Sequence, residues 1–427
     1  MNIVVGIVNV AFIAYVSYLL WKRDHSPLKT FYWPALIFKL LSGIALGLLY
    51  LYYYNGGDTF NYFNDGVKLA SLARQDPGSY ISFLWSGDES YSIWTELTYK
   101  QPRAIFLSKV TSLFCLLTAD SYWVISLYFS FISFLCAWIL AKKILILNTG
   151  SEFAGVLAFL FFPSIVFWSS GVIKESLAMA ALFFVCVIFL QLWLKERVGL
   201  MRWPLTGFAI WILWNLKYYY IGVFLPVAAT ALLAKWIFAR LKTQSLAIKI
   251  IVWSSIFIGP MVLISSLHPN FYPERFLDVV VSSYNEFHAI SDDRDVIYYS
   301  TMEPTLTSIM KNIPLAIFSG LYRPFITEAT TIFQILSAAE NFLLLVLTIS
   351  VLTQIKQLIK GKHRLLTFSL LVYVLILCVF LALSTPNFGT LSRFRIGFLP
   401  FFVFLLTAKN PLVTRLIKPN WPANLVP

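Results

Sequence analysis

Apolar stretches of about twenty residues recur along the whole chain, separated by shorter polar segments. A helix of that length can cross the hydrocarbon core of a bilayer. The pattern predicts an all-α polytopic membrane protein with about 11 transmembrane helices, which form a single transmembrane domain over residues 1–427. The predicted helices cover residues 3–21, 31–54, 120–141, 153–170, 172–194, 203–216, 218–236, 250–267, 331–354, 365–384 and 395–408.

Two shorter apolar stretches, at about 104–118 and 305–321, are expected not to cross the membrane. Successive loops keep alternating between the two sides of the membrane only if each stretch is an interfacial or re-entrant helix packed against the bundle. Two large loops then lie on the same side of the membrane, at about 55–119 and 268–330.

Composition agrees with this class, and the placement of charge predicts the orientation. The chain is 59% hydrophobic, 12% charged and carries a net charge of +13. Nineteen of its 33 Lys and Arg residues fall into loop clusters that contain only three acidic residues. The positive-inside bias assigns those loops to the cytoplasm, which predicts an outer N-terminus, a cytoplasmic C-terminus and two large extracytoplasmic loops. Because the positive charge faces the inner side of a membrane, nucleic acid is excluded as a partner.

Metal and cysteine chemistry is weakly indicated. The four cysteines lie inside apolar runs without paired spacing, so neither a disulfide framework nor a zinc site is predicted. The second outer loop contains Asp292-Asp293-Arg294-Asp295 and Glu303, whose oxygens could bind a divalent cation. A solvated acidic loop is the alternative. No other cofactor is predicted.

Asp58 is the first candidate catalytic residue. It follows a Gly56-Gly57 turn at the end of a predicted membrane helix, and Tyr62 lies one helical turn further on. A carboxylate at the mouth of a membrane span can act as a general base on a lipid-borne or extracytoplasmic substrate. The alternative is a solvated carboxylate in a helix C-cap turn.

Lys174 and Glu175 form the second group. Pro163 and Gly171 interrupt two apolar helices where the chain turns back, and Lys174-Glu175 opens the returning helix. Ionisable residues at membrane depth are functional candidates because their burial is unfavourable. We therefore predict Glu175 as a second catalytic carboxylate and Lys174 as a phosphate-binding cation. The alternative is a local ion pair that braces a helical hairpin.

Three arginines near the outer boundary complete the candidate site. Arg323 precedes Pro324, and Arg393 and Arg395 stand ahead of the last predicted helix. Guanidinium groups bind phosphate through paired hydrogen bonds. The three arginines together with Lys174 could therefore grip a pyrophosphate, whereas contact with lipid headgroups is the alternative.

This combination suits transfer of a sugar from a polyprenyl-phosphate carrier. The carboxylate would deprotonate the acceptor hydroxyl, and the cations would stabilise charge that develops on the departing phosphate. No Gly-x-Ser-x-Gly, His-Glu-x-x-His or P-loop pattern is present, which disfavours hydrolase and nucleotide-driven chemistry.

At these residues the chain resembles bacterial integral-membrane proteins of surface-polysaccharide synthesis. It is similar to glycosyltransferases of GT-C type and, nearly as closely, to O-antigen-type polysaccharide polymerases. The matching segments are Gly56-Gly57-Asp58-Thr59 with Tyr62, Pro163-Ser164 to Lys174-Glu175, Arg323-Pro324-Phe325, and Asn387-Phe388-Gly389-Thr390 to Arg393-Phe394-Arg395.

The first resemblance implies that Asp58 is the acidic residue of the first extracytoplasmic loop, which serves as base or metal contact. The second implies that Arg323, Arg393 and Arg395 act on glycans linked to polyprenyl pyrophosphate. Both imply a multi-pass protein of the bacterial inner membrane that works on a polyprenyl-linked sugar or glycan and contacts membrane lipid and other polysaccharide-assembly proteins.

Two further classes stay open at this point. A transporter or flippase for a lipid-linked glycan would carry its ionisable residues along a path through the membrane. A non-catalytic component of an envelope assembly would bind a soluble partner and no carrier lipid.

Overall fold

The structure is a computed structural model that describes residues 3–86, 89–147, 152–241, 245–267, 272–353 and 363–417. Within these ranges seven helices are long and apolar enough to cross a membrane, or eight if a pair bent by 70° counts as one span. The prediction of an α-helical membrane protein is thereby confirmed. The number of eleven spans and the assignment of the loops to one side stay predictions.

The chain divides into two compact units, and the division falls inside one long helix at residues 221 and 222. The N-terminal unit consists of Met1–Asn148 and Gly155–Ile221. It holds the helices α1 Ile3–Lys22, α2 Tyr32–Tyr52, α3 Asp58–Gln75, α4 Pro77–Ser86, α5 Ile93–Glu96, α6 Pro102–Thr118, α7 Tyr122–Leu145, α9 Pro163–Trp168 and α10 Lys174–Trp193. The short helix α8 Glu152–Val156 and the long helix α11 Arg202–Leu241 contribute to both units.

The C-terminal unit consists of Thr149–Ala154 and Gly222–Pro427. Its helices are α12 Leu246–Leu267, α13 Pro273–Ile290, α14 Leu306–Tyr322, α15 Ile332–Leu352, α16 Arg364–Ser384, α17 Phe388–Phe394, α18 Leu399–Thr407 and α19 Pro411–Ile417. The bent pair is Phe388–Gly397 with Leu399–Thr407. The single transmembrane domain expected for the whole chain stays a prediction.

One predicted helix is broken in the structure, and a predicted break between two others is present. The stretch predicted as one helix over 153–170 is broken into α8, a π-helical turn at Leu157–Phe161, and α9. Pro163 explains the second break, because its ring removes a backbone donor and disfavours helix in the residue before it. The stretches 203–216 and 218–236 are two helices that meet at a kink within α11, and the predicted break between them is present at Lys217, whose φ of −146° and ψ of 66° are not helical. Forty residues span about 60 Å, roughly twice the thickness of a bilayer core, so this break is where the direction can change.

The two regions predicted as large loops are largely helical. Helices α3 to α6 fill most of residues 58–118, and α13 and α14 fill much of 273–322. The short stretches expected at 104–118 and 305–321 correspond to α6 and α14.

A buried carboxylate ties the turn between α1 and α2 to α7. Asp24 accepts hydrogen bonds from Lys142 Nζ at 2.9 Å, Trp138 Nε1 at 2.9 Å and the backbone N–H of Ser26 at 2.7 Å. Burial alone would raise the pKa of Asp24. The hydrogen bonds outweigh it, and the pKa falls from 3.8 to about 2.

We predict that D24N lowers the free energy of unfolding by about 2 kcal/mol near neutral pH, since hydrogen bonds to a charged group are lost. The folded-state pKa lies below the unfolded value, so the carboxylate contributes its stability above about pH 4 and loses it as the pH falls through about 2. Thermal unfolding of wild type and D24N in detergent at a series of pH values measures this. The difference should be constant above about pH 4 and shrink below it; a difference that persists unchanged at the lowest pH would contradict the prediction.

Candidate functional site

The turn after α2 sets the position of Asp58. Asn55, Gly56 and Gly57 all have positive φ values of 49°, 116° and 100°, a region that glycine adopts without a steric penalty. The N–H of Gly56 donates to the carbonyl of Tyr50 at 2.8 Å, which closes the end of α2. Asp58 is then the first residue of α3 and is partly exposed. The two glycines therefore turn the chain so that a new helix starts directly at the carboxylate.

Asp58 is held by a tyrosine from a distant part of the chain. The hydroxyl of Tyr99 donates to Asp58 Oδ1 at 2.5 Å, and Asn61 Nδ2 donates to the same hydroxyl at 3.3 Å. The ring of Tyr99 also packs on the ring of Tyr62, with centroids 5.1 Å apart. Tyr62 is only 2% exposed, so its ring packs against Tyr99 and does not offer an aromatic face to a substrate.

Asp65 fixes the segment that carries Tyr99. Its carboxylate accepts hydrogen bonds from the backbone N–H groups of Thr98 at 2.8 Å and Tyr99 at 3.2 Å. Asp65 is 1% exposed and lies about two helical turns after Asp58 on α3. The second carboxylate of α3 therefore acts on the backbone that positions Tyr99, and the partly exposed carboxylate is Asp58.

The turn between α9 and α10 packs closely against α2 and α7. Gly171 has φ +74°, and its N–H donates to Ser130 Oγ at 3.0 Å. The backbone of α2 approaches at Gly43, where a Cβ would lie 3.3 Å from Gly171 N and would collide with Ser130. Ser126 Oγ donates to the Gly43 carbonyl at 3.1 Å. Glycine at both positions permits a close approach that no larger residue would allow.

Lys39 lies within α2 and caps the end of α9. It is 5% exposed, and its ammonium donates to the Val166 carbonyl at 3.5 Å and to the hydroxyl of Ser169. The last carbonyls of a helix carry partial negative charge, which stabilises a cation there. Among the residues that the structure describes, no carboxylate forms an ion pair with Lys39. The lysine therefore holds the helix end that precedes Lys174.

Lys174 is the first residue of α10 and lies beside the two tyrosines that hold Asp58, Tyr99 and Tyr62. Its ammonium lies 5.2 Å from the centroid of the Tyr62 ring, within the range of a cation–π contact. Lys174 is partly exposed. A continuous set of contacts therefore leads from the Asp58 carboxylate through Tyr99 and Tyr62 to the Lys174 ammonium.

Glu175 pairs with Lys217. The distance from Lys217 Nζ to Glu175 Oε1 is 2.8 Å, and the two side chains are 4% and 0% exposed. Lys217 is the non-helical residue of α11, so the break in that helix is where the cation meets the first turn of α10. Lys217 also lies 5.7 Å from the ring centroid of Tyr219. This buried ion pair therefore joins the first turn of α10, next to Lys174, to the break in α11.

The C-terminal unit contains the three predicted arginines. Arg323 Nε donates to both carboxylate oxygens of Glu328, at 2.9 and 3.1 Å, and its guanidinium lies 4.9 Å from the ring centroid of Phe388. A carboxylate therefore already neutralises Arg323. Arg393 is buried within α17.

Arg395 is fully buried at the bend between α17 and α18. Its Nη1 donates to Asn341 Oδ1 at 2.5 Å and its Nη2 to Ser337 Oγ at 3.3 Å. Glu340 contributes an electrostatic interaction. The Nε atom of Arg395 has no hydrogen-bond partner among the described residues. The direct hydrogen-bond partners of this guanidinium are therefore neutral groups on α15.

The acidic segment of the second predicted loop is used for local structure. Asp292 caps the 3₁₀ turn Asp293–Asp295 by accepting from the Arg294 N–H at 2.9 Å. Asp295 accepts from Gln334 Nε2 at 2.8 Å. Within the part of the chain that the structure describes, no group of three His, Cys, Asp or Glu residues is arranged to hold a metal ion. The divalent cation stays a prediction without a defined site.

No family model, no curated protein and no solved structure matches the chain.

The structure places the predicted site residues in two groups. Asp58, Tyr62, Lys174 and Glu175 belong to the N-terminal unit, and Arg323, Arg393 and Arg395 belong to the C-terminal unit. Sequence reasoning missed Tyr99, Lys39 and Lys217. Lys39 carried a signal, because an ionisable residue in the middle of an apolar helix is rarely there without a partner.

Proposed function

We propose that the chain is a membrane glycosyltransferase that moves a sugar from a polyprenyl-phosphate carrier to an acceptor hydroxyl. The observation that carries this proposal is that two partly exposed groups of opposite charge, Asp58 and Lys174, are held by the same pair of packed tyrosines, Tyr99 and Tyr62. Both groups lie at helix starts. Asp58 is held by the partly exposed Tyr99, and Lys174 lies over the buried ring of Tyr62.

In this reaction the acceptor oxygen attacks the anomeric carbon of the donor sugar. Its proton passes to the Asp58 carboxylate, and the bond from the anomeric carbon to the phosphate oxygen breaks. The electron pair leaves with that oxygen, so the polyprenyl phosphate departs with an additional negative charge. A positioned general base and a cation at the departing phosphate each lower the barrier to such a transfer.

Tyr99 and Lys174 supply the remaining functions at the site. The Tyr99 hydroxyl donates to Asp58 Oδ1 and so fixes the direction of the carboxylate. The Lys174 ammonium, held over the Tyr62 ring, is the cation for the departing phosphate. Glu175 is the other carboxylate predicted as catalytic. Because it is fully buried and paired with Lys217, we assign it a positioning role.

The same proposal includes the class of donor, the side of the membrane on which the site lies, and the membrane that contains the protein. The basic loops favour an extracytoplasmic position for Asp58, with the N-terminus outside and the C-terminus in the cytoplasm. The resemblance to surface-polysaccharide enzymes favours the bacterial inner membrane. Polyprenyl-linked donors, membrane lipid and other polysaccharide-assembly proteins are the partners expected there.

One observation favours a second candidate, an O-antigen-type polymerase. Arg395 is a fully buried guanidinium whose direct hydrogen bonds go to neutral groups, and Arg393 is buried beside it. A polymerase would use such cations for a polyprenyl-pyrophosphate-linked glycan. R395Q should then abolish chain elongation and leave single repeat units as the product, whereas under the transferase proposal it should act only through stability.

We predict that K174M lowers the initial rate of sugar transfer by about 10²–10³-fold, because a donor to the developing charge is removed. K174R should retain part of the rate, since it keeps the positive charge. The rate is measured in membranes with the cell's own lipid-linked donor and normalised to the amount of protein. The matched control is K311M, because Lys311 is an exposed lysine of α14. A K174M rate equal to that of K311M would remove Lys174 from the site.

A further inference from the structure

Helix α4 has an exposed face that suits lipid and not water. Ile81 is 65% exposed and Trp85 is 94% exposed, and the two residues are one helical turn apart on the same side. None of the ten residues from Pro77 to Ser86 is charged. An isolated exposed apolar residue needs no explanation, so the position of this face relative to the membrane decides what it contacts.

The start of α4 is held at the entrance of a membrane-spanning helix. Arg74, the penultimate residue of α3, forms two hydrogen bonds with the carboxylate of Asp120, at 2.8 and 2.9 Å. Asp120 lies two residues ahead of α7, which begins at Tyr122 and is one of the membrane spans. Pro77 is therefore within a few residues of a point fixed at the membrane boundary.

A second contact places α4 beside a part of α6 that runs along α7. The Tyr80 hydroxyl and the Ser112 hydroxyl are 2.8 Å apart. Two residues further along α6, the ring of Phe114 packs on Tyr128 and Phe129 of α7, with centroids 5.6 and 5.2 Å apart. Those residues lie roughly 10 Å inside the start of α7. Three exposed leucines of α6 flank this region: Leu113, Leu116 and Leu117.

We propose that α4 is an interfacial helix whose Ile81 and Trp85 side chains insert between the lipids of one leaflet. Ten residues span about 15 Å, which is too short to cross the bilayer and suits a helix in the interface. The contact partner is the lipid bilayer at the headgroup and acyl boundary, where tryptophan is favoured. This membrane contact does not depend on the reaction proposed above.

Site-directed spin labels measure the depth of this face. Cysteines are introduced singly at Ile81, Trp85 and Gln75 in a variant whose four native cysteines are replaced by alanine, and the protein is reconstituted into phosphatidylcholine–phosphatidylglycerol vesicles. Gln75 is the matched control because it is exposed at the end of α3, directly before α4. Labels at 81 and 85 should be reached by oxygen in preference to a water-soluble nickel complex, at about 5–10 Å below the headgroups. The label at 75 should show the opposite preference.

Two outcomes would overturn the proposal. Nickel accessibility at 81 and 85 equal to that at 75 would place α4 in water. Labels that are immobile and shielded from both reagents would show that another protein surface covers the face. If the cysteine-free variant does not fold, wild type and W85F are compared in brominated lipid. The wild type should then show a quenched tryptophan component that W85F lacks, and equal quenching in both would count against lipid contact.

Discussion

Replacing Asp58 by asparagine is expected to abolish the glycan product while the protein stays folded in the membrane. Asparagine keeps the size of the side chain and can still accept the hydrogen bond that Tyr99 donates. It cannot take up the proton of an acceptor hydroxyl, so the rate should fall by about 10²–10⁴-fold. The product is measured by sugar analysis of the surface polysaccharide in a deletion strain that carries each variant.

Two further variants make the result specific. D278N removes an exposed carboxylate of α13 and should leave the product unchanged. Y99F removes only the hydroxyl that orients Asp58, so its rate should lie between those of wild type and D58N. Wild-type amounts of product from D58N, at equal expression, would exclude Asp58 as the base.

The second large effect is expected on stability. K217M leaves the Glu175 carboxylate buried without its cation, and breaking a buried ion pair in this way destabilises a protein by about 3–5 kcal/mol. E175Q/K217M removes both charges and should recover most of that loss, because two neutral groups no longer need each other. The free energy of unfolding is measured by circular dichroism in mixed micelles for wild type, E175Q, K217M and E175Q/K217M, which together form a double-mutant cycle.

The control for this cycle is an ion pair that water can reach. R74A breaks the pair with Asp120, in which both side chains are about a third exposed or more, and should change the free energy of unfolding by about 0–1 kcal/mol. If K217M is no more destabilising than R74A, or if the double variant is worse than K217M, the pair does not brace α10 and α11.

The apolar pattern was sufficient for the class of fold and for most helices. The predicted helices at 3–21, 365–384 and 331–354 lie within two residues of α1, α16 and α15 at each end. Hydrophobic length sets these elements, and a sequence displays it directly. The pattern could not show that α8 and α9 are separated by a π-helical turn, because both halves are equally apolar.

The structure joins three of the predicted site residues by contacts, while the site itself stays a prediction. Asp58 and Tyr62 belong to one predicted segment and Lys174 to another. Tyr99 contacts both Asp58 and Tyr62, and Lys174 contacts the Tyr62 ring directly. The Glu175–Lys217 pair joins residues 42 positions apart and depends on how α10 and α11 are rotated against each other. No periodicity in either helix encodes that rotation, so Lys217 could not be assigned from the sequence. Tyr99 lies outside the helices, and its position depends on backbone hydrogen bonds to Asp65.

The arginines illustrate the same limit. Arg323 and Glu328 are five residues apart, and their pairing shows that a carboxylate close in sequence neutralises this cation. Arg395 donates to two neutral side chains of α15 instead. The sequence predicts the same phosphate-binding role for both residues, and only the packing of α15 against the bend distinguishes them.

Glycosyl transfer at Asp58 is tested most directly by mass spectrometry of lipid-linked glycans incubated with the purified protein in vesicles. Wild-type protein and D58N are each given a lipid extract of the deletion strain, in which the donor should accumulate. With wild type, we predict that the donor loses the mass of one sugar, that an acceptor gains the same mass, and that free polyprenyl phosphate appears. D58N should cause none of the three changes. Equal conversion by D58N, or movement of unchanged lipid-linked glycan across the vesicle membrane by both proteins, would contradict the assignment of Asp58 as a catalytic base.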